Sequence, residues 1–386
     1  SRPPLPGMGS PAAGGVGMLG RMPRRRAPSE PLDDALSQPL AHKLERWFRA
    51  GHRDMPWRRT RDPYAIWVSE IMLQQTRVET VERYYDAFMR RFPTVERLAV
   101  ADEQDVLQAW SGLGYYRRAR LLHRGAAHVV EHLGGQLPQQ SERLREIPGV
   151  GAYTAGAIAS IAFDRPEPLV DGNVARVLSR IEKIEQTAEQ GATSRRHWRR
   201  VAGILRHGTP RMLSQALMEL GATVCTPKSP RCLLCPVRAE CGAHAAGRVD
   251  EIPAPRKKIP QPVSEWIALA VVWRRRVLLI RRPAEGLLAD MWCLPLIPGP
   301  GPGVFDSEGL GARLSVAPRF SPDTLPPVRH VFTHRIWQLH PLIGRVPRKP
   351  RWLDASDDRQ QFIAPGQRPD GGMPRVTEKL LERIGF

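Results

Sequence analysis

The chain has 386 residues, which is enough for two domains of ordinary size, each with its own buried core. Its 58 Lys and Arg residues outnumber its 39 Asp and Glu residues, and the resulting net charge of +19 favours a polyanionic partner such as nucleic acid. No apolar run approaches the roughly 20 residues of a membrane span, and no signal peptide is recognisable, so we expect a soluble intracellular protein without a membrane partner.

Arginine and cysteine usage narrow the protein class further. Of the 58 basic residues 51 are arginines, which suits phosphate and guanine recognition, although a GC-rich genome would produce the same bias. Five cysteines are too few and too clustered for a secreted disulfide scaffold, because four lie between Cys225 and Cys241 and Cys293 stands alone.

The N-terminal residues 1–37 are rich in Pro, Gly, Ala and Arg and predict a disordered basic tail. A transit peptide would also be rich in arginine, but the prolines and glycines oppose an amphipathic helix. From Pro39 onward, apolar residues at helical spacing predict a first helix that Gly51 can end.

A second helix is predicted after Asp62, with Pro63 in its first turn and Trp67 facing inward. Glu70 and Gln74, four residues apart, share another face of this helix. A helix carboxylate is more often solvated than buried, yet Glu70 lies among apolar residues rather than in a charged run. We therefore expect Glu70 to be buried, with a raised pKa that makes it a proton donor.

Residues 94–110 and 117–133 predict two more helices, joined by the segment Ser-Gly-Leu-Gly-Tyr-Tyr at 111–116. Such a glycine-flanked loop can insert a leucine or a tyrosine into a base stack. Packing of both tyrosines in the core is the alternative, and the residues alone favour it.

The segment Ile-Pro-Gly-Val-Gly at 147–151 predicts a hairpin that opens a helix over residues 152–163. The unpaired amides at that helix N-terminus favour an anion such as phosphate, although about half of such turns simply join two helices. Downstream, Asp171 precedes a run of helical period and is predicted at or beside an N-cap, where a carboxylate stays ionised.

Four cysteines follow within a short loop-like segment, with six, two and five residues between successive members: Cys225, Cys232, Cys235 and Cys241. Thiolates this close in sequence predict a shared metal centre. Zinc is the default for short paired spacings and a four-iron four-sulfur cluster is the alternative, and spacing alone leaves both open.

Residues 242–262 contain several prolines and a short basic run, and predict an interdomain linker. Beyond it the pattern changes to strands, with a hairpin over residues 266–280, further strands over 328–344 and a closing helix over 373–386. The predicted fold is a mostly α N-terminal domain over 38–241 followed by an α+β domain over 263–386.

Several strings in this order resemble the MutY-type adenine DNA glycosylases of the helix-hairpin-helix superfamily: MPWR, WVSEIMLQQTRVETV, WSGLGYYRRARLLH, IPGVGAYTAGAI, VDGNVARVLSR and the cysteine spacing. The resemblance extends from about Pro39 to the C-terminus. It implies a helix-hairpin-helix glycosylase domain over 38–241 and a Nudix-like lesion-reading domain over 263–386. It also implies one 4Fe-4S cluster on the four clustered cysteines rather than zinc.

The function implied by this resemblance is excision of adenine mispaired with 8-oxoguanine, or with G, by hydrolysis of the N-glycosidic bond in double-stranded DNA. Glu70 matches the general acid and Asp171 the carboxylate that stabilises the oxocarbenium ion, with Tyr153 and Asn173 as supports. A monomer is implied, located in the cytoplasm and associated with the nucleoid if the source is bacterial.

The resemblance also implies three groups of contact residues. The adenine pocket is bordered by Arg53, Trp57 and Arg58. The duplex and its lesion are contacted by Gln75, Thr76, Leu113, Tyr115, the hairpin residues Gly149, Val150 and Gly151, and the C-terminal loop Phe332, Thr333 and His334. Two residues depart from the family pattern, since Thr333 stands where Ser is common and Cys293 where Glu is common.

Three other functions are alternatives. An endonuclease III-like pyrimidine-lesion glycosylase with lyase activity would need a lysine where Tyr153 stands, because a Schiff base requires an amine. Hydrolysis of free nucleotides by the C-terminal domain would need a carboxylate run that residues 299–314 lack. A non-catalytic DNA-binding module would leave Glu70 and Asp171 without a role.

Overall fold

The structure is a computed structural model that describes residues 34–188, 191–255, 260–299, 313–321, 325–353 and 355–386. The predicted tail covers residues 1–37, of which residues 1–33 lie outside these ranges. Helical structure already starts with a 3-10 turn at Asp34–Leu36, inside the stretch predicted to be disordered. The reason is packing, because Ser37 is buried and accepts a hydrogen bond from Arg200 at 3.0 Å.

The first part of the described chain is helical, and its helices have these bounds: α1 Ser37–Ala50, α2 Pro63–Leu73, α3 Val78–Arg91, α4 Val95–Ala99, α5 Glu103–Ala109, α6 Arg117–Leu133, α7 Ser141–Leu144, α8 Ala152–Phe163, α9 Gly172–Ile181, α10 Gly191–Leu205, α11 Pro210–Thr223 and α12 Gly242–Ala245. The predicted first helix, the helix after Asp62 and the helix over 117–133 are confirmed.

Capping explains where several of these helices start. The side chain of Asp62 accepts the amide of Tyr64 at the start of α2. The single helix predicted over 94–110 is wrong, because Thr94 and Asp102 each cap a separate short helix. α4 ends at Ala99, and Asp102 begins α5 by accepting the amide of Gln104 at 2.7 Å.

Two apolar cores lie in the helical part, and α8 contributes to both. One contains Trp67 from α2 and Leu122 from α6, and the other contains Leu44 from α1 and Leu217 from α11. The helix α8 is buried from Thr154 to Ala162, which explains its almost uniformly small and apolar composition. Its central position fixes the distance between α2, which carries Glu70, and α11.

The C-terminal part forms a mixed sheet closed by one described helix, α13 Arg375–Ile384. Its strands are β1 Val263–Trp273, β2 Arg276–Arg281, β3 Trp292–Cys293, β4 Leu296–Pro298, β5 Arg319–Phe320, β6 Val328–Val331, β7 Ile336–Arg345 and β8 Gln360–Ile363. The main order is β3-β2-β1-β7-β5, with β4 on β1, β6 on β7 and β8 on β2. The predicted hairpin around the three arginines is confirmed as β1–β2.

The parallel pairing of β1 with β7 sets the position of the predicted lesion-reading loop. Val263 pairs with Ile336 at one end, and Val272 pairs with Arg345 at the other. The turn from β6 into β7 contains Thr333, so this loop projects from the end of the sheet where β1 begins.

The C-terminal domain packs directly against the helical part. Met291 and Cys293, from the loop before β3 and from β3 itself, belong to the same apolar core as Trp110 and Leu122. The guanidinium of Arg120 donates to the carbonyl oxygen of Ala289. The first half of the predicted linker also packs, since Ile252 is buried and its carbonyl accepts Arg180 at 2.9 Å.

None of the helices that the structure describes combines the length and apolar character required to cross a membrane.

Candidate active site

A cleft of about 550 Å³ lies between α2, α8, α9 and α11, and both Glu70 and Asp171 line it. Its volume lies in the range of small-molecule pockets. Tyr153 and Asn173 line the same cleft, as do the three residues predicted to border an adenine pocket, Arg53, Trp57 and Arg58. Residues from distant parts of the chain therefore meet at one cavity.

Glu70 is buried, with 5% of its surface exposed, on the cleft side of α2. The hydroxyl of Tyr153 donates to its Oε2 at 2.7 Å. Burial raises the pKa of Glu70 to about 7, against the lowering effect of the Tyr153 hydrogen bond and with a further rise from Asp171. The predicted burial and raised pKa of Glu70 are confirmed.

Asp171 is the N-cap residue of α9, as predicted. Its Oδ1 accepts the amide of Val174 at 2.7 Å, and its Oδ2 accepts the side-chain amide of Asn173 at 3.0 Å. Burial raises the pKa of Asp171 above its ordinary value, while these two hydrogen bonds and the guanidinium of Arg176 lower it. Asp171 therefore has more partners that favour its charged form than Glu70 has.

The arginines of the cleft are held by a carboxylate that sequence reasoning missed. Glu219 on α11 accepts Arg53 Nε at 2.9 Å and Arg58 Nη2 at 2.8 Å. Burial would raise the pKa of Glu219, but the hydrogen bonds from the two arginines lower it to about 2. No local pattern marks Glu219, because its role depends on residues about 160 positions away.

Two segments contain residues predicted to contact the lesion, namely the turn after α2 with Gln75 and Thr76, and the loop 111–116 with Tyr115. Gln75 and Thr76 line the cleft. Tyr115 is 47% exposed with a φ of +50°, whereas Tyr116 is buried. The two tyrosines thus have different environments, and the alternative that both pack in the core is wrong for Tyr115.

Arg118, which the sequence did not single out, connects these two segments. Its buried guanidinium donates to the carbonyl oxygens of Ile71 and Met72 at 2.8 and 2.9 Å. It also donates to Thr76 Oγ1 at 3.0 Å and to the Gly114 carbonyl at 3.1 Å. Burial lowers the pKa of Arg118 to about 10, which still leaves it charged at neutral pH.

Two residues predicted to contact DNA have buried side chains. Leu113 is 5% exposed and belongs to the helical core beside Trp110, so the expectation that its side chain lines the lesion does not match its position. Val150 is 6% exposed, and its amide donates to the Ile147 carbonyl at 3.0 Å. In the hairpin Gly149 and Gly151 are exposed, whereas Ile147 and Val150 are buried.

The C-terminal loop exposes Thr333 and His334, while Phe332 packs edge-on against Trp337 at 4.9 Å. The side chain of Gln261 donates to the carbonyl oxygens of Phe332 and Thr333, both at 2.8 Å. Gln261 lies in the predicted linker, and we did not expect it to support this loop.

The four clustered cysteines line one small cavity beside Arg180 and His244. Arg180 donates to Cys225 Sγ at 3.3 Å, and no cysteine in the described part of the chain forms a disulfide. Within the described ranges no three ligand side chains converge closely enough to hold a single metal ion. A four-iron cluster fits this donor set better, because each iron binds one thiolate and the sulfurs surround the cluster instead of meeting at one point.

The comparisons with known proteins agree with this architecture. Residues 68–202 match the model of the HhH-GPD superfamily base excision DNA repair proteins, and residues 268–383 match the NUDIX domain model. The chain is similar to a solved thermostable thymine-DNA glycosylase, with 26% identity, a TM-score of 0.51, and coverage of 55% of this chain and all of that one.

Among curated proteins, the chain is 37% identical to the adenine DNA glycosylase of Rattus norvegicus, over 82% of this chain and 74% of that protein. It is 39% identical to the Homo sapiens adenine DNA glycosylase, of which it spans 56%, and 27% identical to that of Buchnera aphidicola subsp. Acyrthosiphon pisum, of which it spans 95%. The helical fold, the Nudix-like sheet and these relatives agree, and the chain therefore belongs to the adenine DNA glycosylases, a family of base excision repair hydrolases that act on N-glycosidic bonds.

Proposed function

We propose that the cleft between α2 and α9 binds an adenine flipped out of a DNA duplex, where it is mispaired with 8-oxoguanine or G, and hydrolyses its N-glycosidic bond. The observation that carries this proposal is that Glu70 and Asp171 line one cavity and have different partners. Two carboxyl groups in unlike surroundings are the arrangement that glycoside hydrolysis requires.

Glu70 is the proton donor in this proposal. Its pKa of about 7 means that a large fraction of the carboxyl groups is protonated at neutral pH. Transfer of that proton to a ring nitrogen of adenine lets the bond to the sugar break, with the bonding electron pair leaving on the base. The Tyr153 hydroxyl orients the carboxyl group through a hydrogen bond to its Oε2.

Asp171 stabilises the positive charge that develops on the sugar as the base departs. Its two oxygens are held by Val174 and Asn173, so the carboxylate needs little reorganisation when the charge forms. Water then adds to the sugar carbon, and a carboxylate accepts the released proton. No lysine is among the cleft residues in the described part of the chain, which favours simple hydrolysis over a Schiff-base lyase reaction.

The cleft walls suit a purine. Trp57 and Met55 provide apolar surface, and Arg58, fixed by Glu219, provides guanidinium donors. A flipped base costs a few kcal/mol of unstacking, and this cost is smallest for a mispaired base. We therefore assign recognition of the excised adenine to this wall, with Arg53, Trp57 and Arg58 as its members.

The opposite base is read by residues at the edge of the cleft and beyond it. Gln75 and Thr76 line the cleft, and Tyr115 is exposed on the loop 111–116. Gly149 and Gly151 are exposed and offer backbone to the phosphates. Thr333 and His334 are exposed on the C-terminal loop and can hydrogen-bond to an oxidised guanine. Leu113 and Val150 contribute through their backbone and through packing.

The four cysteines would hold a 4Fe-4S cluster, as the family typically does. The cluster would cross-link a segment with little helix, next to Arg180 and Arg238, and would stabilise the fold of that segment. Duplex DNA is the partner, the active form is a monomer, and in a bacterial cell the protein would be cytoplasmic and associated with the nucleoid.

A single-turnover excision assay on duplexes with A:8-oxoguanine, A:G and A:C tests the function. We expect fast excision from the first two and slow excision from the third, with the strand left uncut until alkali is added. Asp171→Asn should lower the rate by about 10³-fold or more, as expected when a charge-stabilising group is lost.

The matched control is Asp102→Asn, because Asp102 caps α5 in the same manner but lies outside the cleft. This variant should excise at the wild-type rate. Equal losses in both variants, or rapid strand cutting without alkali, would refute the proposed mechanism.

A further inference from the structure

The loop 111–116 is held at both ends by one carbonyl oxygen of the C-terminal domain. Ser111 Oγ donates to the carbonyl oxygen of Met373 at 2.9 Å, and Tyr116 Oη donates to the same oxygen at 3.0 Å. Both hydroxyl groups are buried. Between them, Tyr115 at the tip is 47% exposed.

Two glycines allow the backbone before Met373 to approach the helical domain this closely. A Cβ on Gly371 would lie 2.6 Å from Gln104 Oε1, and a Cβ on Gly372 would lie 3.0 Å from Leu107 Cβ. Gly371 also has a φ of +117°, which favours glycine. The segment therefore touches α5 through its backbone.

The same segment is fastened to the sheet of the C-terminal domain. Trp292 in β3 donates its amide to the Gly372 carbonyl at 2.9 Å and its indole N–H to the Asp370 carbonyl at 2.7 Å. The hydroxyl of Thr377 donates to the Trp292 carbonyl at 3.2 Å. A displacement of the sheet would therefore be transmitted to the Met373 carbonyl.

The loop also contacts Arg118, which donates to the carbonyl oxygens of Leu113 and Gly114. The guanidinium carbon of Arg118 lies 5.4 Å from the centroid of the Tyr115 ring. Gly112 has a φ of +104° and leaves no room for a Cβ, which would lie 2.0 Å from Tyr84 Oη. Tyr115 itself adopts a left-handed φ of +50°, a conformation that costs energy unless its surroundings enforce it. The fixed loop ends provide that enforcement.

We propose that docking of the C-terminal domain onto Ser111 and Tyr116 sets the position of Tyr115 as a wedge in the duplex. This inference rests on the proposed function, in which Tyr115 is one of the residues that read the base opposite the adenine. Ser111 and Tyr116 are then positioning residues, and the C-terminal domain has a second role beyond lesion reading. Engagement of the lesion by its Thr333 loop and insertion of the wedge occur as one coupled step.

The test uses the full chain with Ser111→Ala and Tyr116→Phe combined, which removes both hydroxyls and keeps the packing. Insertion is read from the quenching of a 2-aminopurine placed next to 8-oxoguanine, and excision is followed under single-turnover conditions. We expect the quenching to be lost and excision from A:8-oxoguanine to slow about tenfold. Excision of an adenine opposite an abasic site, which needs less unstacking, should change less than twofold.

The matched control is Tyr64→Phe, which loses a buried phenol bond of the same kind, 2.8 Å to the Phe92 carbonyl, away from the loop. It should lower the melting temperature, because one buried hydrogen bond is lost, yet keep wild-type quenching and excision. Unchanged quenching in the double variant, or an equal loss in the control, would overturn the inference. If the wild type excised no adenine, the proposed function would fail, while quenching on the bound duplex would still decide the coupling.

Discussion

The carboxyl groups of Glu70 and Asp171 line one cavity but accept different donors. Glu70 accepts the Tyr153 hydroxyl, whereas Asp171 accepts one backbone amide and one side-chain amide. An N-cap carboxylate is also favoured by the partial positive charge of the helix terminus. The rise in pKa that burial causes is therefore opposed more strongly at Asp171 than at Glu70, and Glu70 is the residue that holds a proton near neutral pH.

The pKa of Glu70 predicts the pH dependence of excision. As pH rises through about 7, Glu70 loses its proton and the fraction of competent enzyme falls. The single-turnover rate should therefore decrease by about tenfold per pH unit above that value. Glu70→Gln should be slow and without this decrease, and a wild-type rate that increases from pH 6 to 8 would contradict the assignment.

The same pKa predicts how stability changes with pH. A carboxyl whose folded pKa of about 7 exceeds its unfolded value of 4.5 contributes stability below the unfolded value and loses it as pH rises through the folded value. Glu70→Gln should thus raise the melting temperature relative to wild type more at pH 8 than at pH 5. Thermal unfolding of both proteins at pH 5 and pH 8 tests this prediction. A difference in melting temperature between the variant and the wild type that becomes smaller as pH rises would refute it.

Arg118 links the turn after α2 to the loop 111–116 through carbonyl oxygens and one hydroxyl, and no ion pair in the described part of the chain offsets its charge. Its planar fork reaches two segments together, which an ammonium group cannot do. Arg118→Lys should retain charge but lower excision from A:8-oxoguanine by about tenfold. A kinetic assay should assign most of the loss to the rate constant rather than to duplex affinity.

At the scale of elements, the hairpin before α8 depends on a local backbone requirement. Gly149 has a φ of +83°, and its Cβ would lie 2.7 Å from Leu121 Cβ. Gly151 has an extended backbone and open space around it. The two glycines of one hairpin are therefore not equivalent.

Gly149→Ala should destabilise the protein by about 1–3 kcal/mol, since a left-handed residue with a Cβ is strained and α6 must also shift. Gly151→Ala is the matched control and should change the free energy of unfolding by less than about 1 kcal/mol. Urea unfolding of both variants measures the difference, and equal stabilities would show that the hairpin backbone relaxes.

The cysteine segment predicts a metal content. The purified protein should contain iron and sulfide in the ratio of a 4Fe-4S cluster, and Cys235→Ala should lose both. Cys293→Ala is the control, because this fifth cysteine is buried between the domains, where its raised pKa of about 11 keeps it a neutral thiol. Zinc in place of iron, or iron loss in the control, would contradict the cluster assignment.

At the scale of the whole molecule, the two domains form one continuous structure over the described residues. Cys293 and Met291 pack into the helical core, and the Met373 carbonyl holds the loop that carries Tyr115. The C-terminal domain is consequently part of the scaffold of the loop 111–116.

The net charge of +19 predicts a strong salt dependence of DNA binding. Each phosphate neutralised should add about −0.9 to the slope of log affinity against log salt concentration. We expect a clearly negative slope with both lesion-containing and undamaged duplexes. Fluorescence anisotropy between about 50 and 200 mM salt measures the affinities. A slope near zero would contradict phosphate-driven binding.

Local features were determined by the sequence alone. The cap at Asp171, the helix after Asp62, the hairpin at 147–151 and the strand pair around the arginines depend on neighbouring residues, so their patterns were readable. The burial of Glu70 was also predicted correctly, because its apolar neighbours lie on the same helix.

Only the tertiary structure decided which distant groups meet. Glu219 holds Arg53 and Arg58, Arg118 joins two loops, and Gln261 supports the Thr333 loop. Tyr115 and Tyr116 are neighbours in sequence, yet one is exposed and the other is held by the C-terminal domain. These contacts depend on how helices and sheet pack, and packing is a property of the whole chain that no local pattern encodes.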